Sequence, residues 1–228
     1  RLSADHAIVY STGVWASWDC RTAAYAQSPL FGRFEVRDGV SVDRRGRLPV
    51  RIPRLQPLDE LAIRVSCNRW RERLSRSRGP LIAYIFHPSY LPFIKEIKAD
   101  YVVYHAYDLF RFMEKDSTTV ERDEDQLLES ADLVIATSEE TAKDFRSRRN
   151  RHIEVLGNGV DWSLFVSDPK PPDPPELANI PRPRIGYVGA INQKVDFDLI
   201  LRLARRQSSW QFILVGPVRN LLPGDKEL

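Results

Sequence analysis

The sequence contains few of the residues that define disulfide-rich or zinc-binding proteins. It has two cysteines among 228 residues, Cys20 and Cys67, which show no CxxC spacing and no neighbouring histidine cluster. This excludes a disulfide framework and the usual zinc-site patterns. We interpret both cysteines as buried free thiols in a reducing compartment and expect a cytoplasmic location.

Long apolar runs and a strong excess of one charge are also missing. No run approaches the ~18 apolar residues that a membrane-spanning helix needs, and we find no signal peptide. The 34 basic and 31 acidic residues give a net charge of +3, whereas nucleic-acid-binding domains carry a strong, localised basic excess. We therefore expect no nucleic-acid partner. Because the first residue is Arg1 and not Met, we expect the natural N-terminus to lie upstream.

Two arginine-rich stretches, residues 69–78 and 146–151, interrupt the otherwise mixed charge. Runs of this kind usually belong to solvated helix ends, and this is our interpretation. The alternative is a basic face that rests on an anionic membrane surface, which would make the protein peripheral at the inner face of a membrane.

The common phosphate-binding and catalytic motifs are absent as well. The sequence has no GxGxxG, P-loop or GxSxG motif and no metal-ligand cluster. Gly13 is the only glycine in the loop after the first apolar run, so that loop is not a glycine-rich phosphate cradle. We therefore predict no metal and no cofactor.

Short apolar runs of strand length recur along the whole chain. Several are almost continuously apolar, which is typical of strands buried on both faces of a parallel sheet. The stretch 33–53 differs, because its apolar residues alternate with polar ones around Gly39 and Gly46, and it predicts a strand followed by a hairpin. The apolar runs are 7–10, 81–86, 101–104, 133–136, 153–156, 185–188 and 212–215.

Helical patterns separate many of these runs. Residues 58–74 carry an apolar stripe that stops at Gly79-Pro80, and the pattern of residues 123–130 predicts a second helix. Ser138, followed by two glutamates, predicts a helix N-cap, and Asp196 or Asp198 opens another helix. The alternation predicts an α/β fold with a Rossmann-like, doubly wound parallel sheet.

The composition changes at residues 167–184, which contain seven prolines. Proline lacks the backbone donor and resists helix interiors, so this stretch predicts a linker. We predict a first domain over residues 1–165, a linker over 166–184 and the start of a second domain over 185–228. About 44 residues cannot build a domain alone. We favour a domain that continues beyond Leu228; the alternative adds its strands to the first sheet.

Five segments occur in an order that carries more information than any one of them. They are residues 131–141, 156–161, 165, 183–191 and 212–218. Together they resemble the family 4 glycosyltransferases, specifically a bacterial branch with a YH..D segment, here Tyr104-His105-Ala106-Tyr107-Asp108. The resemblance covers residues 81–218 well and the first 80 poorly.

The resemblance implies a GT-B fold, in which an acceptor-side domain precedes a nucleotide-sugar-binding domain. It also implies that a hexosyl group is transferred, with retention of configuration, from a nucleotide-diphosphate sugar to a polysaccharide or lipid-linked acceptor. The family's pair of glutamates, spaced by seven residues, has no counterpart after Pro217. Glycosyl transfer needs charge stabilisation on the diphosphate and exclusion of water. We therefore expect this chain alone to be inactive.

The candidate donor-binding residues are Asn158, Gly159, Gly189, Lys194 and Gly216. The pair 158–159 tolerates positive φ and predicts either an ordinary loop or an interdomain crossover near the donor. Gly189 ends a strand ahead of a helix, where backbone amides can approach a phosphate, and Gly216 ends the next strand.

The resemblance implies an arginine just after Gly189 and a lysine further along, both on the diphosphate. The arginine position is Ala190 here. A gapless alignment places Val195 at the lysine position, with Lys194 one residue earlier. The assignment of Lys194 as the diphosphate ligand therefore requires a one-residue shift in this loop.

The candidate catalytic residues are His105 and Asp108. His105 follows an apolar strand, and the carboxyl ends of parallel strands face the crevice where ligands bind. The resemblance places it near the donor sugar and β-phosphate, where it could orient the acceptor hydroxyl or assist the leaving group; the alternative is a structural histidine. Asp108 is either a ligand of the acceptor hydroxyl or an N-cap.

The candidate acceptor-binding residues are Trp15, Trp18 and His87. The tryptophan rings could stack on a sugar or, alternatively, cover the edge of the sheet. His87 could line the crevice or, as the residue before Pro88, hold a turn.

Two other functions stay open. The first is a non-catalytic GT-B binding module, which is favoured by the alanine at position 190 in place of the family's arginine. The second is a nucleotide-sugar epimerase of GT-B shape.

Overall fold

The computed structural model describes residues 6–113, 117–166 and 172–219. The chain divides into two compact units, Arg1–Gly159 and Val160–Leu228, and each is described by itself. Residues 167–171 of the predicted linker and 220–228 of the predicted second domain lie outside the described residues.

A three-stranded sheet opens the first unit. Its strands are β1 (Ile8–Ser11), β2 (Arg33–Arg37) and β3 (Val40–Arg44), in the order β1-β3-β2. The β2–β3 pair is an antiparallel hairpin, as predicted, and both turn residues, Asp38 and Gly39, have positive φ. The β1 strand runs parallel to β3.

A four-stranded parallel sheet follows in the same unit. It contains β4 (Ile82–Ile85), β5 (Tyr101–Ala106), β6 (Leu133–Ala136) and β7 (Glu154–Val155), in that order. The parallel pairing confirms a mixed α/β fold and is consistent with a Rossmann-like arrangement. The doubly wound sheet predicted for this domain is present as two sheets, because no pairing joins β1 to β4 among the described residues.

Five helices accompany these strands within the described part of the first unit. Ser138 caps α5 as predicted, since its Oγ accepts a hydrogen bond from the Thr141 amide at 3.2 Å. The α4 helix begins six residues before its predicted start, and the pattern missed α3, a seven-residue helix with Pro92 in its first turn. The helices are α1 (Ala23–Ala26), α2 (Gln56–Leu74), α3 (Leu91–Ile97), α4 (Ser117–Ser130) and α5 (Glu139–Arg148).

The main core lies on one face of the four-stranded sheet. Alternate residues of the strands point to this face, because successive side chains of a strand point to opposite sides. They pack against α3, α4 and α5. The fully or almost fully buried members include Ile85, Tyr104, Ala106, Leu127, Leu128, Val134, Ala136 and Phe145.

The opposite face of the same sheet is open except at Ile135, which lies opposite His105 and is 8% exposed. Ile82, Tyr84, Tyr101 and Leu133 occupy this face and are 54%, 46%, 53% and 38% exposed. We expected strands covered on both faces from their apolar character, so this face differs from the prediction. None of the described helices of the first unit covers it.

Ion pairs cross-link the helices of the first unit. Arg148 bonds to Glu124, which is 0% exposed, at 2.6 Å, and also bonds to Asp125 and Asp144. Arg69 bonds to the buried Asp43. The interpretation of the two arginine-rich stretches as solvated helix ends is therefore wrong for these two arginines, because their guanidinium groups face carboxylates inside the fold.

The two cysteines differ from one another. Both are free, as predicted, but Cys20 is exposed, which corrects the expectation that it is buried. Cys67 is buried between α2 and α3, and burial raises the pKa of its thiol to about 12.

The described residues of the second unit form a β-α-β element, as the sequence predicts. The strands β8 (Arg184–Val188) and β9 (Gln211–Val215) are parallel and are connected through α6 (Phe197–Arg206). Asp196 caps α6, since its Oδ1 accepts from the Leu199 amide at 2.8 Å. The guanidinium of Arg184 fixes the preceding proline-rich stretch by donating to Asp173 and to the Ile180 carbonyl.

Candidate functional site

Three aromatic side chains cluster near the carboxyl ends of β4 and β5, on the open face of the sheet. The ring centroids of Tyr84 and Phe86 are 5.1 Å apart, and the His105 ring lies 5.8 and 5.7 Å from them. The register explains this proximity, because Tyr84 is opposite Val103 and both face the same side as His105.

His105 lies within β5 and not beyond its end, since the strand continues to Ala106. Its Nδ1 is 2.7 Å from the Tyr84 hydroxyl, and its Nε2 is buried with no hydrogen-bond partner among the described residues. Burial lowers the pKa of His105. The imidazole is therefore predominantly neutral near pH 7, and one ring nitrogen remains available to a further hydrogen-bond partner.

His87 forms the turn that follows β4. Its Nδ1 accepts a hydrogen bond from the Ser89 amide at 3.1 Å, and its ring packs edge-on against Phe110 at 4.3 Å. Tyr107 packs against the same phenylalanine at 4.9 Å. The turn geometry expected before Pro88 is thus observed, and the ring also lines the neighbouring cleft.

Asp108 lies in the loop after β5 and is exposed. Its Oδ1 accepts a hydrogen bond from the next backbone amide, that of Leu109, at 2.8 Å. The following 3-10 helix has Leu109 as its N-cap, with no side-chain cap. Asp108 is therefore not the N-cap of that helix.

A cleft of about 640 Å³ opens beside this cluster. Clefts of this size hold small ligands or short peptide segments. The β1 strand borders one side and β4 the other, while α2 and α3 contribute apolar side chains. Its aromatic lining residues are Tyr10, Trp70, Tyr84, Phe86, Tyr90, Phe93 and Tyr107.

The two candidate tryptophans have different environments. Trp15 is 8% exposed, lies under the Arg45 guanidinium at 3.6 Å and packs edge-on against Tyr25. Trp18 is 67% exposed in a short 3-10 helix. Of the two rings, Trp18 is the one that a sugar can reach.

Asn158 and Gly159 lie in an exposed loop after β7, at the end of the first unit. Neither residue adopts the positive φ that the pair permits. A Cβ atom at Gly159 would meet nothing within 4 Å. Local geometry therefore does not require glycine at this position.

In the second unit, Gly189 and Gly216 meet at the carboxyl ends of β8 and β9. Gly216 has φ +149°, and a Cβ atom placed there would collide with the Gly189 carbonyl. Lys194 is exposed in the turn that leads to the N-terminus of α6, and its amide bonds to Asn192 at 2.9 Å. The turn presents a cation close to the N-terminus of α6, which already holds the Asp196 carboxylate as its cap.

Two further properties concern metals and membranes. The described ranges contain no group of three or more histidine, cysteine, aspartate or glutamate residues that could hold a metal ion. Across those same ranges, none of the helices combines the length and apolar character needed to span a bilayer.

Sequence reasoning missed Tyr84 and Phe86 as neighbours of His105. The run 81–86 gave no indication that one of its faces is uncovered, because nearly every residue in it is apolar. The two-residue spacing of Ile82, Tyr84 and Phe86 is the signal that places them together on one face.

Comparison with known proteins gives one informative similarity. No protein-family model matches the chain. Over 96 residues it is 28% identical to the putative teichuronic acid biosynthesis glycosyltransferase TuaH of Bacillus subtilis (strain 168). The match covers 40% of this chain and 24% of that protein, so the chain spans about a quarter of the relative's length. The similarity supports a relationship to glycosyltransferases.

Proposed function

We propose that the protein takes part in transferring a hexosyl group from a nucleotide-diphosphate sugar to a polysaccharide or lipid-linked acceptor, with retention of configuration and a GT-B arrangement of domains. The observation that carries the proposal is the similarity to a glycosyltransferase. Because that relative is named for teichuronic acid biosynthesis, we propose an envelope polysaccharide as the acceptor class.

The proposed acceptor side is the aromatic cluster with His105 and Asp108. A neutral imidazole can accept a proton or donate a hydrogen bond, depending on which nitrogen carries the hydrogen. Since Nδ1 is engaged by the Tyr84 hydroxyl, Nε2 is the atom that would meet a sugar hydroxyl or the departing phosphate. A small rotation of the ring must accompany binding, because Nε2 is buried.

The proposed donor side is the turn between Gly189 and α6. The close approach of Gly189 and Gly216 leaves backbone without side-chain cover at the strand ends, and Lys194 supplies positive charge. The departing nucleotide diphosphate gains negative charge in the transition state, so a cation near it would stabilise that charge. Ala190 contributes no charge, which makes Lys194 the main cation proposed for this turn.

Donor binding can be tested by calorimetric titration with a panel of UDP- and GDP-sugars. We expect the natural full-length protein to bind one of them and Lys194→Ala to weaken that binding by about tenfold. Arg205→Ala is the matched control, because it also removes one exposed positive charge from the same unit. If no nucleotide sugar binds, or if both variants weaken binding equally, the proposed donor site is wrong.

Transfer itself can be tested by following sugar incorporation into a polysaccharide or lipid-linked acceptor, with NMR of the product to read its anomeric configuration. His105→Ala should lower kcat by about a hundredfold, while Tyr101→Phe, on the same strand and the same face, should leave kcat unchanged. Inverted configuration would contradict the retaining mechanism. Donor binding without any transfer would favour the binding module instead.

A further inference from the structure

Arginines cluster where β3 ends, at positions 44, 45, 47 and 51, and two of them have no acidic partner. Arg44 and Arg51 each pair with a carboxylate, at 2.9 and 2.8 Å. Among the described residues, no carboxylate and no hydrogen-bond acceptor meets the side chains of Arg45 and Arg47, and the Nε atom of Arg47 is buried. Because donors buried without an acceptor are costly, these two guanidinium groups have unused binding capacity.

The segment that carries the two arginines is held in place by its backbone. Gly46, between them, is buried, and a Cβ atom there would collide with the Gly32 amide nitrogen. The Arg47 amide donates to the Pro29 carbonyl at 2.7 Å, and the following amide donates to the Leu30 carbonyl at 2.9 Å. The two side chains therefore extend from a fixed segment.

Two packed aromatic rings connect Arg45 with Arg47. The Arg45 guanidinium lies over the Trp15 ring, 3.6 Å from its centroid, and stacking of this kind leaves the in-plane N–H groups available. Trp15 packs edge-on against Tyr25, whose hydroxyl donates to the Arg47 carbonyl at 3.4 Å. The Trp15 indole Nε1 is a further buried donor without an acceptor among the described residues. We call these four residues the arginine–tryptophan cluster; its unpaired groups are all donors.

The arginine–tryptophan cluster borders the candidate site. Trp15 and Arg45 follow β1 and β3, which are parallel, and ligands of open α/β sheets bind at the carboxyl ends of the strands. A Cβ atom at Gly13 would lie 3.3 Å from the ring of Tyr90, which lines the cleft together with His87. Burial raises the pKa of the Tyr90 hydroxyl and the charge of Arg45 opposes that rise, so Arg45 lies within electrostatic range of this tyrosine.

The chemistry of the cluster identifies the kind of ligand that fits it. A guanidinium group presents its N–H donors in a planar fork that matches two oxygens of a carboxylate or a phosphate. A cationic or purely apolar ligand would leave these donors unpaired. Trp18, three residues after Trp15, is 67% exposed and offers an apolar ring face to a sugar. An acidic or phosphorylated sugar combines both properties.

We propose that Arg45 and Arg47, with Trp15 supporting Arg45, bind an oxyanion carried by the acceptor, either a carboxylate of an acidic sugar or a phosphate attached to the sugar. The assignment to the acceptor rests on the proposed glycosyl transfer, whereas the binding of an oxyanion does not. The two arginines are positioning residues, since they hold the charged group of the acceptor at the border of the cleft and do not contact the reacting atoms.

Calorimetric titration at constant ionic strength tests the proposal, with a uronate disaccharide, a neutral disaccharide of the same size and inorganic phosphate as probes. We expect at least one anionic probe to bind, and the neutral disaccharide to bind about tenfold more weakly than that probe or not at all. Arg45→Gln and Arg47→Gln should each weaken anion binding by about tenfold. Arg64→Gln is the matched control, because Arg64 is an exposed arginine of the same unit that pairs with Glu96.

The two anionic probes distinguish the sources of the oxyanion. Tighter binding of the uronate would identify an acidic sugar, and tighter binding of phosphate would identify a phosphorylated acceptor. The bound probe should also shift the Trp15 indole N–H signal in a ¹H–¹⁵N NMR spectrum, an effect that a purely structural role of the cluster would not produce. In the transfer assay, Arg45→Gln should raise KM for the acceptor about tenfold and change kcat by less than about twofold.

Three outcomes would overturn the proposal. The first is that neither anionic probe binds, and the second is that Arg45→Gln and Arg47→Gln bind them as tightly as the wild-type protein does. The third is that Lys194→Ala abolishes anion binding while both arginine variants retain it, because the anion would then occupy the proposed donor side. If the anions bind at the cluster but no sugar is transferred, the proposed function fails and the oxyanion site stands.

Discussion

The two faces of the four-stranded sheet differ sharply, and two consecutive residues of β5 show how. Tyr104 points to the helix-covered face, where it is 0% exposed and its hydroxyl donates to Glu124 at 2.7 Å. His105 points to the open face, where its Nδ1 meets Tyr84 and its Nε2 has no partner among the described residues. On the covered face the apolar side chains are buried and the Tyr104 hydroxyl has its partner, so this face specifies the fold. On the open face a ring nitrogen of His105 has no partner among the described residues, and apolar side chains such as Ile82 stay exposed.

The largest expected effect comes from breaking the ionic network on the covered face. Arg148→Ala would leave the 0% exposed Glu124 without its cationic partner. Loss of one partner of a buried pair typically costs about 3–5 kcal/mol, and urea unfolding would measure it. Arg122→Ala is the control, because Arg122 pairs on the surface with its neighbour Asp123 and such pairs contribute about 0–1 kcal/mol. Equal losses in both variants would show that the buried network adds nothing.

A second prediction compares isoleucines on the two faces of β4. Ile85 is 7% exposed in the core, so Ile85→Ala should lower the free energy of unfolding by about 2–5 kcal/mol. Ile82 is 54% exposed on the open face, so Ile82→Ala should cost less than about 1 kcal/mol in the 228-residue chain.

Urea unfolding of both variants measures the difference between the two faces. A cost for Ile82→Ala that is already large in the 228-residue chain would contradict an open face.

Much of this fold follows from the sequence, because local signals and burial agree. The Asp196 and Ser138 caps, the hairpin turn at Gly39 and the apolar runs of the parallel strands each have a short-range physical cause. The α3 helix was missed since it has seven residues and a proline in its first turn. The start of α4 was placed too late because residues before Asp123 show no apolar stripe.

The candidate site was less accessible to sequence reasoning. His105 was identified from its position after an apolar run, but its partner Tyr84 is 21 residues away and is brought near by strand register alone. The open face could not be foreseen either, because a run such as 81–86 is apolar on both sides whether or not a helix covers each side. The buried Glu124–Arg148 pair was missed for two reasons. Charged residues are rarely buried, and these two lie 24 residues apart in the sequence, so no local pattern links them.

A third prediction compares two tyrosine hydroxyls. Tyr104→Phe would remove a hydrogen bond to a buried carboxylate, so we expect a loss of about 1–3 kcal/mol in the free energy of unfolding. Tyr84→Phe would remove a hydrogen bond to a neutral imidazole from a side chain that is 46% exposed, and we expect a loss of less than about 1 kcal/mol. Chemical denaturation of both variants measures the difference. A greater loss for Tyr84→Phe would reverse our assignment of the covered face as the one that specifies the fold.

The smallest expected effect concerns the pH dependence of stability on the open face. Burial lowers the pKa of His105, so the unfolded chain takes up this proton at a higher pH than the folded chain does. The contribution of His105 to stability is therefore present above the unfolded pKa, about 6.5, and is lost as the pH falls through the lowered folded pKa.

Unfolding free energies measured from about pH 8 to pH 5 should show this loss of stability at low pH in the wild-type chain. The component of the loss that comes from His105 should be absent in His105→Gln. His152→Gln is the control, because it removes an exposed histidine on a different strand end and should leave the component of His105 in place. Tyr84→Phe should also keep it, since burial and not the hydroxyl is the cause of the shift. If His105→Gln retains the full pH dependence, then burial of His105 is not the cause of that dependence and does not keep the imidazole neutral. Its proposed role as a proton acceptor or hydrogen-bond donor near pH 7 would then lose its physical basis.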